Sequence, residues 1–296
     1  VNGNSKMPRD PDYYRRLYLP EVEPPFEVGE RWQQMAWYST FSALAFTHLN
    51  QGFPHYEHHR NLNAWYHTFT NLRSVVRKEV YLTQEMHLVV GFTGAVAGRF
   101  WFVPLQVHCD FQLLHSPYAD MLDFVRETAA TFAAHAAPDD AIVFKHHPMD
   151  RAYRQYRRFF DDLAREHGLE GRLYYVHDLH LPTLLSCAKG TITINSTVGL
   201  ESMQHGTPVI ALGTAVYDMP GLTFQGSLEE FLDAPGEVDM QLYEAFARYL
   251  LHVNQINGCF YKRLPSQANA IGARWFPTGP REFERRYGEP RATVAR

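Results

Sequence analysis

The hydrophobic residues of the first hundred positions follow a helical period. Between residues 30 and 49, apolar side chains recur at three- and four-residue steps, which predicts an amphipathic helix. A second helix is predicted over residues 63–79. Residues 1–29 contain five prolines and are predicted to be loop with one short helical turn. Residues 1–99 are therefore predicted to form a loop and helical segment that lies between lobes or faces an acceptor or a membrane.

From residue 100 onward, short apolar runs alternate with helical stretches. The predicted strands are 100–107, 141–145, 172–176, 190–195 and 208–212. The predicted helices between them are 118–134, 154–167, 181–188 and 198–205. Such alternation indicates right-handed βαβ crossovers and an α/β fold with a parallel, doubly wound sheet. We predict a Rossmann-like lobe over residues 100–232, followed by C-terminal helices and a tail over residues 233–296.

Composition narrows the class of protein. The formal net charge of -4 and the pI near 6.5 disfavour a dedicated nucleic-acid binder. Cys109, Cys187 and Cys259 have no ligand spacing and are expected to be reduced thiols of a cytoplasmic protein. No apolar run reaches the roughly 18 residues of a membrane span, and nothing resembles a signal peptide. Because the chain begins at Val1, we expect the natural N-terminus to lie upstream.

The first polar cluster follows the predicted strand 141–145. It consists of Lys145, His146, His147 and Pro148. Ligands of an open parallel sheet bind at the carboxyl ends of its strands, and a lysine and a histidine there suit a phosphate or a carboxylate. The alternative is that both histidines belong to an ordinary loop.

The second cluster lies between the predicted strand 190–195 and the helix that follows it. Asn195, Ser196 and Thr197 precede the helix N-terminus, where free backbone N–H groups and hydroxyls favour an anion. Glu201, one turn later, is placed to bond a ribose diol. The alternative is a helix cap, with Glu201 completing a capping box.

A third cluster follows the first predicted strand. Asp110 is the candidate nucleophile or general base of glycosyl transfer, with Gln106 and His115 as supporting residues. Its alternative role is that of a helix cap. Tyr217, after the last predicted strand, is another supporting candidate at the same edge.

Several other chemistries lack their motifs. The chain has no GxxxxGK[ST] and no GxGxxG after a strand, which disfavours kinases, ATPases and dinucleotide dehydrogenases. It also has no GxSxG elbow. Asp10 and Asp12 form a DxD, but their proline-rich surroundings favour a turn. The closely spaced histidines at 55–59 and 177–180 lack acidic or cysteine partners at zinc-like spacing, so no metal or other cofactor is expected.

Taken together, these segments resemble one family. FKHHPMD, TINSTVGLESMQHGTPVIALG and VYDMPGLTFQG, with PLQVHCDFQ and HSPY upstream, are similar to the bacterial capsule polysaccharide biosynthesis and export proteins, which are retaining β-Kdo transferases. VNGNS, FPHYEHHR and QINGCFY extend the resemblance to roughly residues 1–262 and point to the family's one-domain branch. The resemblance implies the C-terminal lobe of a glycosyltransferase-B-like enzyme. That enzyme would transfer Kdo from CMP-β-Kdo to a lysophosphatidylglycerol acceptor at the cytoplasmic face of the inner membrane.

The resemblance also implies residue roles. His147 and Pro148 would contact the CMP moiety, Ser196 and Thr197 the phosphate, and Glu201 the ribose. Asp110 would act on the anomeric carbon, and Lys145 would neutralise the phosphate or the Kdo carboxylate. The family carries an N-terminal lobe with an acidic EEGY-type motif, which residues 1–100 do not resemble. We therefore expect CMP binding without efficient transfer unless that lobe is supplied.

Two alternatives remain open at this point. One is another CMP- or UDP-sugar transferase of the same architecture, and the other is a non-catalytic accessory protein of polysaccharide export. The expected partners are a CMP-sugar donor, a lipid acceptor, the inner-membrane surface and the capsule export machinery, but no nucleic acid. Membrane contact is a separate hypothesis that rests on Trp32, Trp37, Phe41, Phe46, Arg73, Arg77 and Lys78. Its alternative is that the aromatic side chains pack as core on the sheet.

Overall fold

A computed structural model describes residues 7–19, 32–49, 52, 55 and 63–254 of the chain. The α-helices are α1 (Pro11–Arg15), α2 (Trp32–Leu49), α3 (Ala64–Thr93), α4 (Met121–His135), α5 (Arg157–His167), α6 (Leu181–Cys187), α7 (Val198–Gln204), α8 (Leu228–Asp233) and α9 (Met240–Tyr249). The strands are β1 (Phe100–Pro104), β2 (Ala141–Lys145), β3 (Leu173–Val176), β4 (Gly190–Thr193) and β5 (Val209–Ala211).

The five strands form one sheet in the order β3-β2-β1-β4-β5. Every neighbouring pair is parallel, and Phe102 of β1 lies opposite Val143 of β2 on one side and Thr191 of β4 on the other. The chain moves outward from β1 to β3 and then returns to the other side of β1. The boundary between β1 and β4 is therefore the topological switch point, where ligands of such sheets bind.

Both faces of the sheet are covered. Side chains alternate along a strand, so Trp101 and Val103 join the core on one face while Phe100 and Phe102 join the core on the other. Helices α4 and α5 supply the first core and helices α3 and α6 the second. Burial on both faces explains why β1 reads FWFVP without alternation. The predicted α/β, parallel, doubly wound fold is confirmed.

Most predicted elements have their observed ends within three residues of the prediction, and one differs more. Helix α3 was predicted over residues 63–79 but continues to Thr93 and absorbs most of an apolar run that has the length of a strand. No proline interrupts residues 64–93, and glycines cluster only near the end of the helix, at Gly91, Gly94 and Gly98. Phe92 of this last turn is buried against Phe100, which gives the extension a place in the core.

The backbone divides into two compact units. The first takes residues 1–13 and 76–243 and contains the sheet. The second takes residues 14–75 and 244–296, and within it the ring of Tyr14 packs edge-on against Phe246 and Tyr249 at 5.0 and 5.2 Å. The sequence-based division at residues 99 and 232 stays a prediction. Residues 255–296, which include QINGCFY and the predicted irregular tail, lie outside the described residues, as do VNGNS and most of FPHYEHHR.

The first two helices, α1 and α2, test two smaller predictions. Asp10 directly precedes α1 and Asp12 lies in its first turn, where the backbone N of Asp12 donates to the carboxylate of Asp10 (3.0 Å). Trp37 and Phe41 are 65% and 61% exposed, so the interpretation of these two rings as core is wrong. The side chain of Trp32 lies outside the described part. Among the helices that the structure describes, none is both long and apolar enough to cross a membrane.

Candidate functional site

Four hydrogen bonds close a ring at the switch point. The side-chain amide of Gln106, which follows β1, donates to Asp110 Oδ2 (3.0 Å) and to Asn195 Oδ1 (3.1 Å), which follows β4. The backbone N of Gln112 donates to Asp110 Oδ1 (2.9 Å), and its carbonyl accepts from Asn195 Nδ2 (2.9 Å). We call these four residues the switch-point ring. It joins the loops after β1 and β4.

The orientation of each amide in this ring follows from its partners. Asn195 Nδ2 faces the carbonyl of Gln112, so its Oδ1 faces Gln106, and Gln106 must then present its NH₂ group to both that oxygen and the carboxylate. Gln106 is buried, and its Oε1 is a buried acceptor without a partner among the described residues. Asp110 keeps a partly exposed carboxylate with each oxygen held by one donor.

Asp110 fills one of the two roles that the sequence left open, that of a cap, and its role in catalysis stays a prediction. It is the N-cap of a short 3-10 turn, Phe111–His115, through its bond from Gln112 N. The other carboxylate oxygen accepts a hydrogen bond from the side chain of Gln106, four residues earlier, and this bond plays no part in capping the turn. The carboxylate is therefore oriented by two loop contacts and remains partly open to solvent.

The first half of the KHHP segment points inward. Lys145 and His146 are buried, and Lys145 Nζ donates to the carbonyl of His177 (2.9 Å). Burial lowers the pKa of Lys145, against the attraction of Asp178. His146 Nδ1 pairs with the hydroxyl of Tyr175 (2.7 Å), and burial, followed by the proximity of His177, lowers the pKa of His146 to about 3. A buried side chain does not lie open to a ligand, so direct donor contact by Lys145 or His146 is not supported by their positions.

Helix α3 holds this inward half in place. Glu85 accepts hydrogen bonds from His177 N (2.8 Å) and Asp178 N (3.2 Å), and its other oxygen pairs with His177 Nδ1 (2.6 Å). Tyr81, one turn earlier, stacks on the His177 ring at 3.7 Å. We call Glu85, Lys145, His146, Tyr175 and His177 the buried network. No sequence motif pointed to Glu85, and the sequence suggested only a metal-ligand role for His177.

The second half of KHHP lies at the surface. His147 is half-buried, and its Nδ1 accepts from Met149 N (3.1 Å), which starts the 3-10 turn Pro148–Asp150. Pro148 is exposed. Asp150 is buried and accepts from His108 N (2.7 Å) while pairing with His108 Nδ1 (2.6 Å). The loop after β2 is thus tied to the loop after β1, which also carries the switch-point ring.

The turn before α7 presents a different surface. Ser196 Oγ accepts from Val198 N (3.2 Å), whereas Thr197 is exposed and its side chain makes no cap bond. Glu201 does not complete a capping box, so that part of the alternative interpretation is wrong. Glu201 is half-buried, and its carboxylate forms no hydrogen bond with any residue that the structure describes. Burial raises the pKa of the Tyr243 phenol, and the nearby Glu201 carboxylate raises it further.

Tyr217 supports this turn from below. Its ring is fully buried, and its hydroxyl donates to the carbonyl of Ser196 (2.5 Å). Burial raises the pKa of Tyr217 well above its usual range, so the phenol stays neutral. A Cβ on Gly199 would lie 2.5 Å from the Tyr217 oxygen, which means that only glycine permits this approach. Tyr217 therefore positions the turn and does not face a ligand.

His115 lies at the same sheet edge as Asp110, at the end of the 3-10 turn that Asp110 caps. Its carbonyl accepts from Thr214 N (2.8 Å) in the loop after β5.

Metal ligation is a separate question. Within the described residues, no group of three or more histidine, cysteine, aspartate or glutamate side chains is placed to hold a metal ion.

The arrangement suits a ligand that lies across the ends of β2, β1 and β4. His147, the switch-point ring and the turn at Ser196 and Thr197 follow these three neighbouring strands. A carboxylate with both oxygens oriented, at the same sheet edge as the hydroxyls of Ser196 and Thr197, can stabilise developing charge on a reacting carbon and on its leaving group. The backbone N–H groups of Val198, Gly199 and Leu200 already donate within the turn, so the expectation that they are free is wrong.

Comparison with known proteins is consistent with this architecture. Residues 1–261 match the family described as capsule polysaccharide biosynthesis protein. The capsule polysaccharide export protein KpsS of Escherichia coli is 37% identical over 268 residues, which cover 88% of this chain and 67% of KpsS. The capsule polysaccharide modification protein LipB of Neisseria meningitidis serogroup B is 35% identical, over 89% of this chain and 64% of LipB. The chain thus spans about two thirds of the length of these relatives.

One solved structure is also similar. The β-Kdo 2,7 transferase KpsC of Thermosulfurimonas dismutans aligns at 20% identity and a TM-score of 0.35, over 61% of this chain and 57% of that chain. A likeness at this level adds no argument to those made from the residues themselves.

Proposed function

This chain belongs to the capsule polysaccharide biosynthesis protein family, and on that premise we propose that it is the C-terminal, donor-binding lobe of a retaining glycosyltransferase. The proposed donor is CMP-β-Kdo, and the proposed acceptor is a lipid of the lysophosphatidylglycerol type. The switch-point ring is the observation that carries this proposal. It places an oriented, partly exposed carboxylate at the position where open parallel sheets bind ligands.

The donor contacts of the proposal follow from exposure. His147 and Pro148 reach the surface and are the proposed contacts of the CMP moiety. Ser196 and Thr197, at the start of α7, are the proposed phosphate contacts, and Glu201 is the proposed ribose contact. CMP carries one phosphate, which the hydroxyls of Ser196 and Thr197 and an imidazole can stabilise, so no metal is required by the proposal. Lys145 acts only through its charge from below, since its ammonium group is buried.

Asp110 offers two routes to retention. In a double displacement, a carboxylate oxygen attacks the anomeric carbon while the bond from that carbon to the phosphate breaks and CMP leaves. The acceptor oxygen then bonds to the same carbon while the bond from that carbon to Asp110 breaks, which restores the carboxylate, and the hydroxyl proton passes to water. In a front-face route, the acceptor hydroxyl attacks directly and gives its proton to the departing phosphate. Mass spectrometry of the protein mixed with CMP-Kdo separates the two routes, because only the first adds a Kdo mass to Asp110.

The proposal extends to the membrane because its acceptor is a lipid. Trp37 and Phe41 are exposed on α2, as expected for residues that meet a lipid surface, and we place the protein at the cytoplasmic face of the inner membrane. Of the three basic residues in the hypothesis, Arg77 is already engaged, since it donates to the carbonyl of Arg151 (2.7 Å). Co-sedimentation with anionic liposomes tests this placement, and an absence of binding would contradict it.

Two measurements test the central proposal. Calorimetry with CMP, UDP and GDP should show binding of CMP in preference to the other two, and equal or absent CMP binding would exclude the Kdo assignment in favour of another sugar nucleotide or an accessory role. Asp110→Asn should keep CMP affinity and, in assays in which the N-terminal lobe is supplied, lower turnover with CMP-Kdo and the lipid acceptor on the order of 10³-fold or more. Full turnover of this variant would remove Asp110 from catalysis.

Asp120→Asn is the matched control for that substitution. Asp120 is exposed and caps α4 through bonds from Leu122 N and Asp123 N, and asparagine caps helices equally well. The control should leave both binding and turnover unchanged. A similar loss in both variants would mean that the effect of Asp110→Asn is not specific to its position.

A further inference from the structure

A groove lies beside the switch-point ring at the same sheet edge. Its walls are residues 114–117, which end and follow the 3-10 turn, and residues 211–214, which end and follow β5. The groove is open to solvent and has a volume of about 570 Å³. It adjoins the ring because Gly213 N donates to the carbonyl of Ile194 (2.8 Å), the residue before Asn195, and because Leu114 lies two residues after Gln112.

The walls of the groove are held together by specific contacts. Thr214 N donates to the carbonyl of His115 (2.8 Å), and Ser116 Oγ donates to the carbonyl of Leu113 (2.7 Å). A Cβ on Gly213 would lie 2.7 Å from Ile194 Cγ2 and 3.0 Å from Ser116 Cβ. Only glycine therefore allows the two loops to approach so closely, and the groove is a preformed feature of the fold.

The chemistry of the groove differs from that of a phosphate site. No lysine, arginine, aspartate or glutamate is among the described residues that line it, so it offers neither a fixed cation nor a competing anion. The His115 imidazole and the Thr214 hydroxyl form no hydrogen bond with any other residue in the described part of the chain. Two uncommitted polar side chains in a groove whose accessible lining is mainly polar suit the hydroxyl groups of a sugar ring.

We propose that this groove receives the hydroxyl-bearing ring of the donor sugar, with His115 and Thr214 as its specificity-determining contacts. The inference rests on the proposed donor site, in which the nucleotide extends from the switch-point ring toward His147 on the β2 side. The sugar must then lie on the other side of its phosphate, and the groove provides space there, beside the end of the 3-10 turn that Asp110 caps. The two side chains select the sugar without contacting the nucleotide.

The test compares two ligands on the same set of variants. Thr214→Val removes only a hydroxyl, and His115→Ala removes only the imidazole, because the backbone carbonyl of His115 remains. Calorimetry should show that each variant weakens CMP-Kdo binding roughly tenfold, as expected for one lost hydrogen bond, while CMP binding stays within about twofold of the wild-type value. Thr128→Val is the matched control, since it makes the same change inside the core of α4 and should alter neither affinity.

The outcomes separate this inference from the proposed function. Wild-type protein that fails to bind CMP overturns the proposed function and with it the groove assignment. Wild-type protein that binds CMP, with variants that weaken CMP and CMP-Kdo equally or weaken neither, overturns only the groove assignment. A rise in KM for the lipid acceptor with unchanged CMP-Kdo affinity also overturns it, because the groove would then hold the acceptor.

Discussion

The two polar regions at the sheet edge look alike in sequence and differ in the structure. KHHP continues from the buried strand β2, and Gln106 and Asn195 follow the buried strands β1 and β4. In the buried network, Lys145 and His146 turn inward, where the carbonyl of His177 and the hydroxyl of Tyr175 pair with them. In the switch-point ring, the hydrogen bonds leave the Asp110 carboxylate partly open to solvent.

This difference distinguishes residues that hold a loop in place from residues that can contact a ligand. A polar group removed from water requires a partner, and once paired it fixes the loop around it instead of meeting a ligand. The buried network thus shapes the loop whose outer residues, His147 and Pro148, are the ones that reach the surface. Substitutions in the buried network should therefore change stability, whereas substitution of Asp110, a partly exposed member of the switch-point ring, should change function.

The largest expected effect of breaking the buried network comes from Glu85→Ala. The substitution leaves two backbone N–H groups and His177 Nδ1 buried without their acceptor, so the free energy of unfolding should fall by about 3 kcal/mol. Urea unfolding measures the change. Glu79→Ala removes an exposed carboxylate from the same helix and should cost less than about 0.5 kcal/mol. Equal losses in the two variants would mean that Glu85 has no special structural role.

A smaller effect should follow the protonation of His146. Its pKa is about 3 in the folded protein, mainly because of burial, and about 6.5 in an unfolded chain. As pH falls from 6.5 toward 3, only the unfolded state binds the proton, so the stability present above pH 6.5 is lost at up to about 1.4 kcal/mol per pH unit.

His146→Phe removes this titration and should flatten the dependence. Unfolding in urea at pH 7, 6, 5 and 4 should show that the difference in unfolding free energy between wild type and variant shifts toward the variant as the pH falls. Parallel curves for the two proteins would contradict the burial of a neutral imidazole at this position.

The smallest expected effect is that of Lys145→Met on nucleotide affinity. A charge-assisted hydrogen bond from lysine to a phosphate is worth about 1.5–3 kcal/mol, which corresponds to more than tenfold in affinity. Because the Lys145 ammonium group donates to the carbonyl of His177 below the surface, CMP affinity should change by less than about threefold. A tenfold or greater loss of CMP affinity in a variant that remains folded would show that Lys145 contacts the nucleotide.

The sequence was sufficient for the sheet and for the edge at which the site lies. Strand β2 was predicted with its observed ends, and the alternation of strands and helices predicted that the strands run parallel. Both successes rest on local signals, namely short apolar runs and helical periods. The carboxyl ends of parallel strands meet at one edge whatever the side chains, so Gln106, Asp110 and Asn195 could be placed together before any coordinates.

What the sequence could not supply was the direction of individual side chains. Strand β2 is buried on both faces, so no alternation shows which way Lys145 and His146 turn beyond it. Glu85 looks like any other acidic position of a long helix, and its role depends on His177, 92 residues later. Tyr217 was predicted as a supporting residue, but its buried contact with Ser196 requires the two loops to be in place.

A crystal structure with bound CMP tests the central claim most directly. The account predicts density for the nucleotide along the ends of β2, β1 and β4, with its base side near His147 and Pro148, its phosphate at Ser196 and Thr197, and Asp110 facing the position of the missing sugar. Lys145 and His146 should stay in their present contacts with His177 and Tyr175. Nucleotide bound elsewhere would contradict the proposed site. A Lys145 side chain turned outward onto the phosphate would contradict the claim that Lys145 holds the loop in place and does not contact the ligand.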